Sequence, residues 1–294
     1  MTVFKGAGVA LVTPFCEDES INYEVLEQMV EEQIAGHTDA IIVCGTTGEP
    51  ATMTEEEKLS CIGFVVEKVN HRIPVIAGTG CNCTRTAIDM AKKAEALGVD
   101  ALLIVTPYYN KATQEGLYLH YKAIAEAVSI PIIMYNVPSR TGCNILPETA
   151  ARIGRDLPNV VGIKEASGNI AQVAELAAQC KGQLAIYSGN DEEVIPVLAL
   201  GGIGVISVLS NIAPCDVHDM VMEYLDGDTE RARELQLSYI PLVKALFCEV
   251  SPVPVKAALH LLGKDSGRLR LPLTELSGDK KLQLQRILDE YPPK

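Results

Sequence analysis

The sequence predicts an α/β protein: a (β/α)8 TIM barrel followed by a C-terminal helical extension. Three observations support this. Eight short runs of Val, Ile, Leu and Ala recur along the chain, nearly continuous rather than alternating with charges, as strands covered on both faces are. Segments of helical period separate them, and successive runs mostly begin roughly 25 to 35 residues apart, the length of right-handed βαβ units. No G-x-G-x-x-G follows the first run, where an open dinucleotide-binding sheet would carry it, and no break in composition divides the eight. The barrel is expected over 1–225 and the extension over 226–294.

The elements follow in order. "GVALVTPF" (8–15) reads as the first strand, with a helix over 22–35, and "AIIVCGTTGE" (40–49) as the second. Thr54 and Glu57 then form a capping box, opening a helix whose apolar stripe is Leu59, Ile62, Val66 and Val69. "PVIAGTG" (74–80) is the third strand; its helix carries Ile88, Ala91, Ala94 and Leu97, and Gly98 stops it. "ALLIVTPYY" (101–109), "PIIMYNVP" (131–138), "VVGIKEAS" (160–167), "LAIYSGND" (184–191) and "IGVISVLS" (203–210) complete the strands. Helices fit 113–128, a short 146–154, 169–180, 191–200 and 214–225. Beyond 226 the strands stop, and three helical segments punctuated by Pro252, Pro254 and Pro272 read as an appendage packed on the barrel or on a neighbouring subunit.

Composition narrows the function. With 48% hydrophobic and 21% charged residues the chain is that of a soluble globular protein, and 25 Lys and Arg against 38 Asp and Glu give a net charge of −13. A nucleic acid backbone would be repelled over most of such a surface. An anionic ligand must instead meet a few cations set within a pocket, which directs attention to Lys164 and Arg140. The nine cysteines show no paired C-x-x-C spacing and read as reduced thiols; Cys81-x-Cys83 lacks the further ligands a metal site needs. The N-terminal residues resemble a first strand rather than a signal peptide, and no apolar run reaches membrane-spanning length, so a cytoplasmic location is expected.

A parallel barrel builds its active site at the carboxyl ends of the strands. Those ends are Thr13-Pro14, Gly45 to Glu49, Gly78 to Gly80, Tyr108-Tyr109, Tyr135-Asn136, Lys164-Glu165, Gly189-Asn190 and Ser207: hydroxyls, phenols, tight turns and one amine. His37, His71, His120, His218 and His260 lie elsewhere and read as structural, and no metal site is expected. A lysine desolvated in a barrel mouth has a populated neutral form and makes Schiff bases, so Lys164 is a candidate nucleophile. Position alone leaves that reading level with a structural lysine reaching the rim. Glu165 points to the opposite face of the strand and is disfavoured as its partner. Tyr135, with Thr46 and Thr47, can relay the protons that carbinolamine chemistry moves, although "GTTGE" also reads as a plain turn or an anion cradle. Arg140, on a loop stiffened by Pro138, offers a fork for a carboxylate, or is a solvated loop arginine.

Four segments, "GTTGE" (45–49), "TPYYN" (106–110), "YNVPSRTG" (135–142) and "GIKEAS" (162–167), occur in this order on those strand ends. Together they resemble the dihydrodipicolinate synthases among the pyruvate-dependent class I aldolases, and the likeness runs along essentially the whole chain. The resemblance implies that pyruvate, held as a Schiff base on Lys164 with no other cofactor, condenses with L-aspartate 4-semialdehyde to give 4-hydroxy-tetrahydrodipicolinate, the first committed step of the diaminopimelate route to lysine. It implies a proton relay of Tyr135, Thr46 and Tyr109, the last donated by a neighbouring subunit, hence a homodimer or, more usually, a homotetramer. It assigns Thr47 to the pyruvate carboxylate, Arg140 to the semialdehyde carboxylate, and Gly189 and Ile206 to the pocket. Sister enzymes such as N-acetylneuraminate lyase share the lysine but usually lack the arginine of "VPSRTG". A sugar-acid aldolase and a non-catalytic carboxylate-binding barrel are the alternatives.

Feedback-inhibited members of that family bind lysine at a subunit interface near "GTTGEPATMTEEEK" and "GTGCNCT". Asn82 and Tyr108 fit the pattern, whereas Lys58 and Thr86 stand where a histidine or similar group and a glutamate are usual. A cation and a missing carboxylate disfavour a second amine, so weak lysine inhibition is expected.

Overall fold

A computed structural model of the chain describes residues 2–291; Met1 and 292–294, the outer ends of the expected barrel and extension, lie outside the described residues. Eight parallel strands close in sequence order into a barrel: β1 (Gly6–Ala10), β2 (Ala40–Val43), β3 (Val75–Gly78), β4 (Ala101–Val105), β5 (Ile132–Asn136), β6 (Val160–Glu165), β7 (Ala185–Ser188) and β8 (Gly204–Ser207). β1 starts two residues ahead of its run, at Gly6, and the other seven each occupy part of theirs, because the closing residues of the runs turn outward as the loops that carry the site. Tyr108 and Tyr109 stand apart, lying beyond the end of β4 in a surface loop.

The helices between them are α1 (Tyr23–Ala35), α2 (Glu55–Val69), α3 (Thr84–Ala96), α4 (Gln114–Ala125), α5 (Pro138–Thr141), α6 (Pro147–Asp156), α7 (Ile170–Cys180), α8 (Val194–Ala199) and α9 (Pro214–Asp226). The capping box of Thr54 and Glu57 forms as the sequence predicts. The buried stripes shift slightly. On α2 it is Cys61, Ile62, Val65 and Val69, with Leu59 and Val66 half-buried. On α3 it is Ala87, Met90, Ala91 and Ala94, with Leu97 partly exposed, because small alanines allow the closest approach to the strands. Arg140 lies on a helical turn, α5, rather than an open loop, since Pro138 presets the first helical φ.

Residue parity divides the core. One set of alternate positions, including Ala10, Ile42, Ile76, Leu103, Ile133, Tyr135, Tyr187 and Ile206, fills the barrel interior, while the other packs against the helices. Phe4 plugs the amino-terminal end, stacked on Tyr187 at 4.5 Å and accepting its hydroxyl at 2.8 Å. Three further helices, α10 (Thr229–Leu246), α11 (Val253–Leu261) and α12 (Gly278–Glu290), form the C-terminal extension and share the outer core through Leu242, Val255, Leu259 and Leu284. All nine cysteines are free thiols, and among the described residues no helix is long and apolar enough to cross a membrane.

Candidate active site

Lys164 lies on the inward parity of β6, register-paired with Tyr135 of β5 and Tyr187 of β7. Its side chain is 5% exposed, and among the described residues no carboxylate lies within ion-pair distance of it. Its ammonium instead stands 4.5 Å from the centre of the Tyr135 ring. The next residue, Glu165, faces outward as strand alternation requires. It accepts from Asn136 Nδ2 at 3.0 Å and from the Ser167 amide at 2.8 Å, and burial pushes its carboxyl above the usual carboxylate range.

Gly189, after β7, closes the other side of the lysine. A Cβ there would stand 3.1 Å from Lys164 Cε, 2.6 Å from Ala166 Cβ and 3.0 Å from the Glu165 carbonyl, so only glycine leaves the amine its path. Its amide donates to the Glu165 carbonyl at 2.7 Å, fixing this approach. Ile206 lies in the interior layer with Tyr135.

Thr46, Thr47 and Gly48 form a 3-10 turn after β2. Thr13 Oγ1 donates to the Gly48 carbonyl at 2.8 Å, tying the ends of β1 and β2 together. Thr47 is buried, and Thr46 shares with Tyr135 the wall of a small cavity of about 110 Å³. Lys58 and Thr86 line the same cavity, whereas Asn82 and Tyr108 sit beside it, the Tyr108 phenol next to the Asn82 backbone.

Arg140 is exposed on α5, whose backbone is held by neighbours below. Thr141 Oγ1 donates to the Val137 carbonyl at 3.1 Å and Thr106 Oγ1 to Thr141 Oγ1 at 3.2 Å. Tyr109 lies apart from this cluster, 91% exposed and in the left-handed region at φ 71°. One chain therefore assembles Lys164, Tyr135, Gly189 and Ile206 at the mouth, brings Thr46 to a wall that it shares with Tyr135, and leaves Tyr109 on its surface.

Sequence reasoning missed two features. Tyr187 precedes its strand end and so escaped a search of ends, although it shares the inward parity of Lys164. Lys256 in "PVPVKAALHLLG" carries the same signal as Lys164, a lysine within an apolar run, but it pairs with a buried carboxylate, Glu49, at 2.6 Å.

The sequence pattern of the dihydrodipicolinate synthetase family matches residues 3–291. A 4-hydroxy-tetrahydrodipicolinate synthase from Lachnoclostridium phytofermentans is 58% identical over 276 residues, 94% of each chain. The crystal structure of dihydrodipicolinate synthase from Thermotoga maritima superposes with a TM-score of 0.96 at 46% identity, covering 98% of this chain and 99% of that one. A chloride-inhibited dihydrodipicolinate synthase from Acinetobacter baumannii, crystallised with pyruvate, superposes with a TM-score of 0.95 at 44% identity over 98% and 99% of the two chains.

Proposed function

The chain belongs to the dihydrodipicolinate synthetase family, and from that premise we propose how its barrel mouth performs the reaction. The enzyme condenses pyruvate with L-aspartate 4-semialdehyde to give 4-hydroxy-tetrahydrodipicolinate, in the diaminopimelate route to lysine. One observation carries the assignment of residues: a lysine 5% exposed, with no carboxylate partner among the described residues, set against a phenol at the mouth of the barrel.

Lys164 Nζ, as the neutral amine, attacks the keto carbon of pyruvate, and the carbinolamine loses water to the Schiff base. Tyr135 passes the protons on, with Thr46 as the next hydroxyl of the relay. Loss of a methyl proton gives the enamine, whose carbon attacks the aldehyde of the second substrate. The substrate's own amine then displaces Lys164 at the imine carbon, closing the ring and freeing the lysine. Thr47 holds the pyruvate carboxylate and Arg140, at the rim, the semialdehyde carboxylate. The Schiff base on Lys164 serves in place of any added cofactor.

Tyr109 completes the relay from a second copy. A phenol that is 91% exposed and held at φ 71° is presented outward, and a neighbour that buries it accounts for both features. The working form is accordingly a homodimer or homotetramer, placed in the cytoplasm. Near Lys58, Thr86, Asn82 and Tyr108 the wall of the small cavity carries a cation, and we read it as a poor site for lysine.

Borohydride added with pyruvate should leave one reduced pyruvyl group, mapped by peptide mass to Lys164. Absence of the adduct, or its presence on another lysine, overturns the assignment.

A further inference from the structure

The threonine turn is fastened from outside the barrel. Glu49 closes it with its backbone in the left-handed region, φ 55° and ψ 39°, serving both as the C-cap of the Thr46–Gly48 turn and as the N-cap of the following 3-10 turn, Pro50–Thr52. A non-glycine residue stays there only where its surroundings over-determine it. Those surroundings come from the C-terminal extension. The Glu49 side chain is 1% exposed, with Oε1 2.6 Å from the ammonium of Lys256 on α11, itself 3% exposed, and Oε2 accepting from the Arg270 amide at 3.2 Å.

The segment between α11 and α12 acts as a strap over the same corner. Lys256 Nζ donates to the Arg268 carbonyl at 2.7 Å, and the Arg268 amide donates to the Phe15 carbonyl at 2.9 Å. The Phe15 ring carries both Lys256, 4.7 Å from its centre, and Arg270, 4.1 Å from it. Arg270 also grips Glu57 of the α2 capping box and donates to the Thr52 carbonyl at 3.0 Å. Gly267, at φ 65°, allows the strap to lie flat, since a Cβ there would stand 2.2 Å from Phe15 N. A buried ion pair is weak evidence for stability, because well-packed apolar residues often serve as well. What this pair adds is direction: it fixes one orientation of the turn that presents Thr46 and Thr47.

We propose that the C-terminal extension is a positioning element for the reaction, with Lys256 acting through Glu49 to hold the Thr46–Thr47 turn toward Tyr135 and Lys164. This rests on the roles given to Thr46 and Thr47 above. Lys256 is a positioning residue and touches no substrate.

The test compares Lys256→Met, Glu49→Gln with Lys256→Met together, Thr46→Val, and Leu284→Ala, a cavity in α12 remote from the turn. Turnover is divided by the number of sites that borohydride traps with pyruvate, so that unfolded protein does not count. Lys256→Met should lower kcat per trapped site roughly tenfold to a hundredfold, the scale of a displaced catalytic group. The double variant, with no uncompensated charge, should fold better than Lys256→Met and stay slow. Leu284→Ala should keep normal kcat per trapped site. In the Thr46→Val background Lys256→Met should cost less than it does in the wild type, because one of the two hydroxyls the turn presents is already gone. Normal turnover per trapped site in both Lys256 variants, or fully additive losses with Thr46→Val, overturns the proposal. A Thr46→Val enzyme with unimpaired kcat instead refutes the relay on which it rests.

Discussion

Lys164→Met and Lys256→Met make the same substitution at two buried lysines and are expected to move stability in opposite directions. Lys256 is ion-paired with Glu49 at 2.6 Å, and both residues are 3% exposed. Removing one member strands a carboxylate out of water, which costs about 3–5 kcal/mol. Lys164 has no such partner among the described residues, and its substitution strands nothing. Its ammonium, on a residue 5% exposed, keeps only part of its solvation, a cost on the order of 1–3 kcal/mol, against which stands one cation–π contact worth about 0.5–2 kcal/mol. Methionine of similar reach relieves the first and forfeits the second, for a net gain of about 1 kcal/mol. Urea unfolding at one fixed protein concentration measures both changes, with the slope unchanged if the unfolded state is the same. Lys164→Met should be inactive with a raised midpoint, and Lys256→Met should have a midpoint well below wild type. A Lys164→Met enzyme destabilised by more than about 1 kcal/mol, or a Lys256→Met enzyme as stable as wild type, refutes the claim that partner, not burial, distinguishes these lysines.

Acid should weaken the fold through His120, which is 4% exposed, bonded at Nδ1 to Thr84 at 2.9 Å and without a partner at Nε2, and whose pKa burial lowers from 6.5 to about 4. The unfolded chain takes up this proton first, so stability is full above 6.5 and falls by about 3 kcal/mol as pH drops toward 4; a His120→Gln protein with the same acid slope in thermal unfolding would exclude this cause. Arg140→Met should raise KM for the semialdehyde roughly tenfold or more, as loss of a charge-assisted contact does, and leave KM for pyruvate unchanged; equal changes in both would reject its assignment. Gly189→Ala, crowding Lys164 Cε and Ala166, should cost about 1–3 kcal/mol and slow borohydride trapping. Gly278→Ala, where the added methyl meets nothing within 4 Å, serves as its control. Lysine should inhibit weakly in a pyruvate-saturated assay, and strong inhibition at sub-millimolar lysine would contradict the charge argument at Lys58.

The barrel was legible in the sequence. Eight continuous apolar runs need cover on both faces, and only helices between parallel strands supply it, so strand count, order and the face that bears the chemistry were all legible. Strand parity also separated Lys164 from Glu165, because adjacent residues cannot share a face. Tertiary structure decided what a lysine in an apolar run is for. "VVGIKEAS" and "PVPVKAALHLLG" give the same local signal, yet Lys164 meets a phenol 4.5 Å away and Lys256 a carboxylate contributed from 207 positions earlier in the chain, Glu49. The partner of a buried charge is set by which distant segments fold against it, and no pattern within one segment records that.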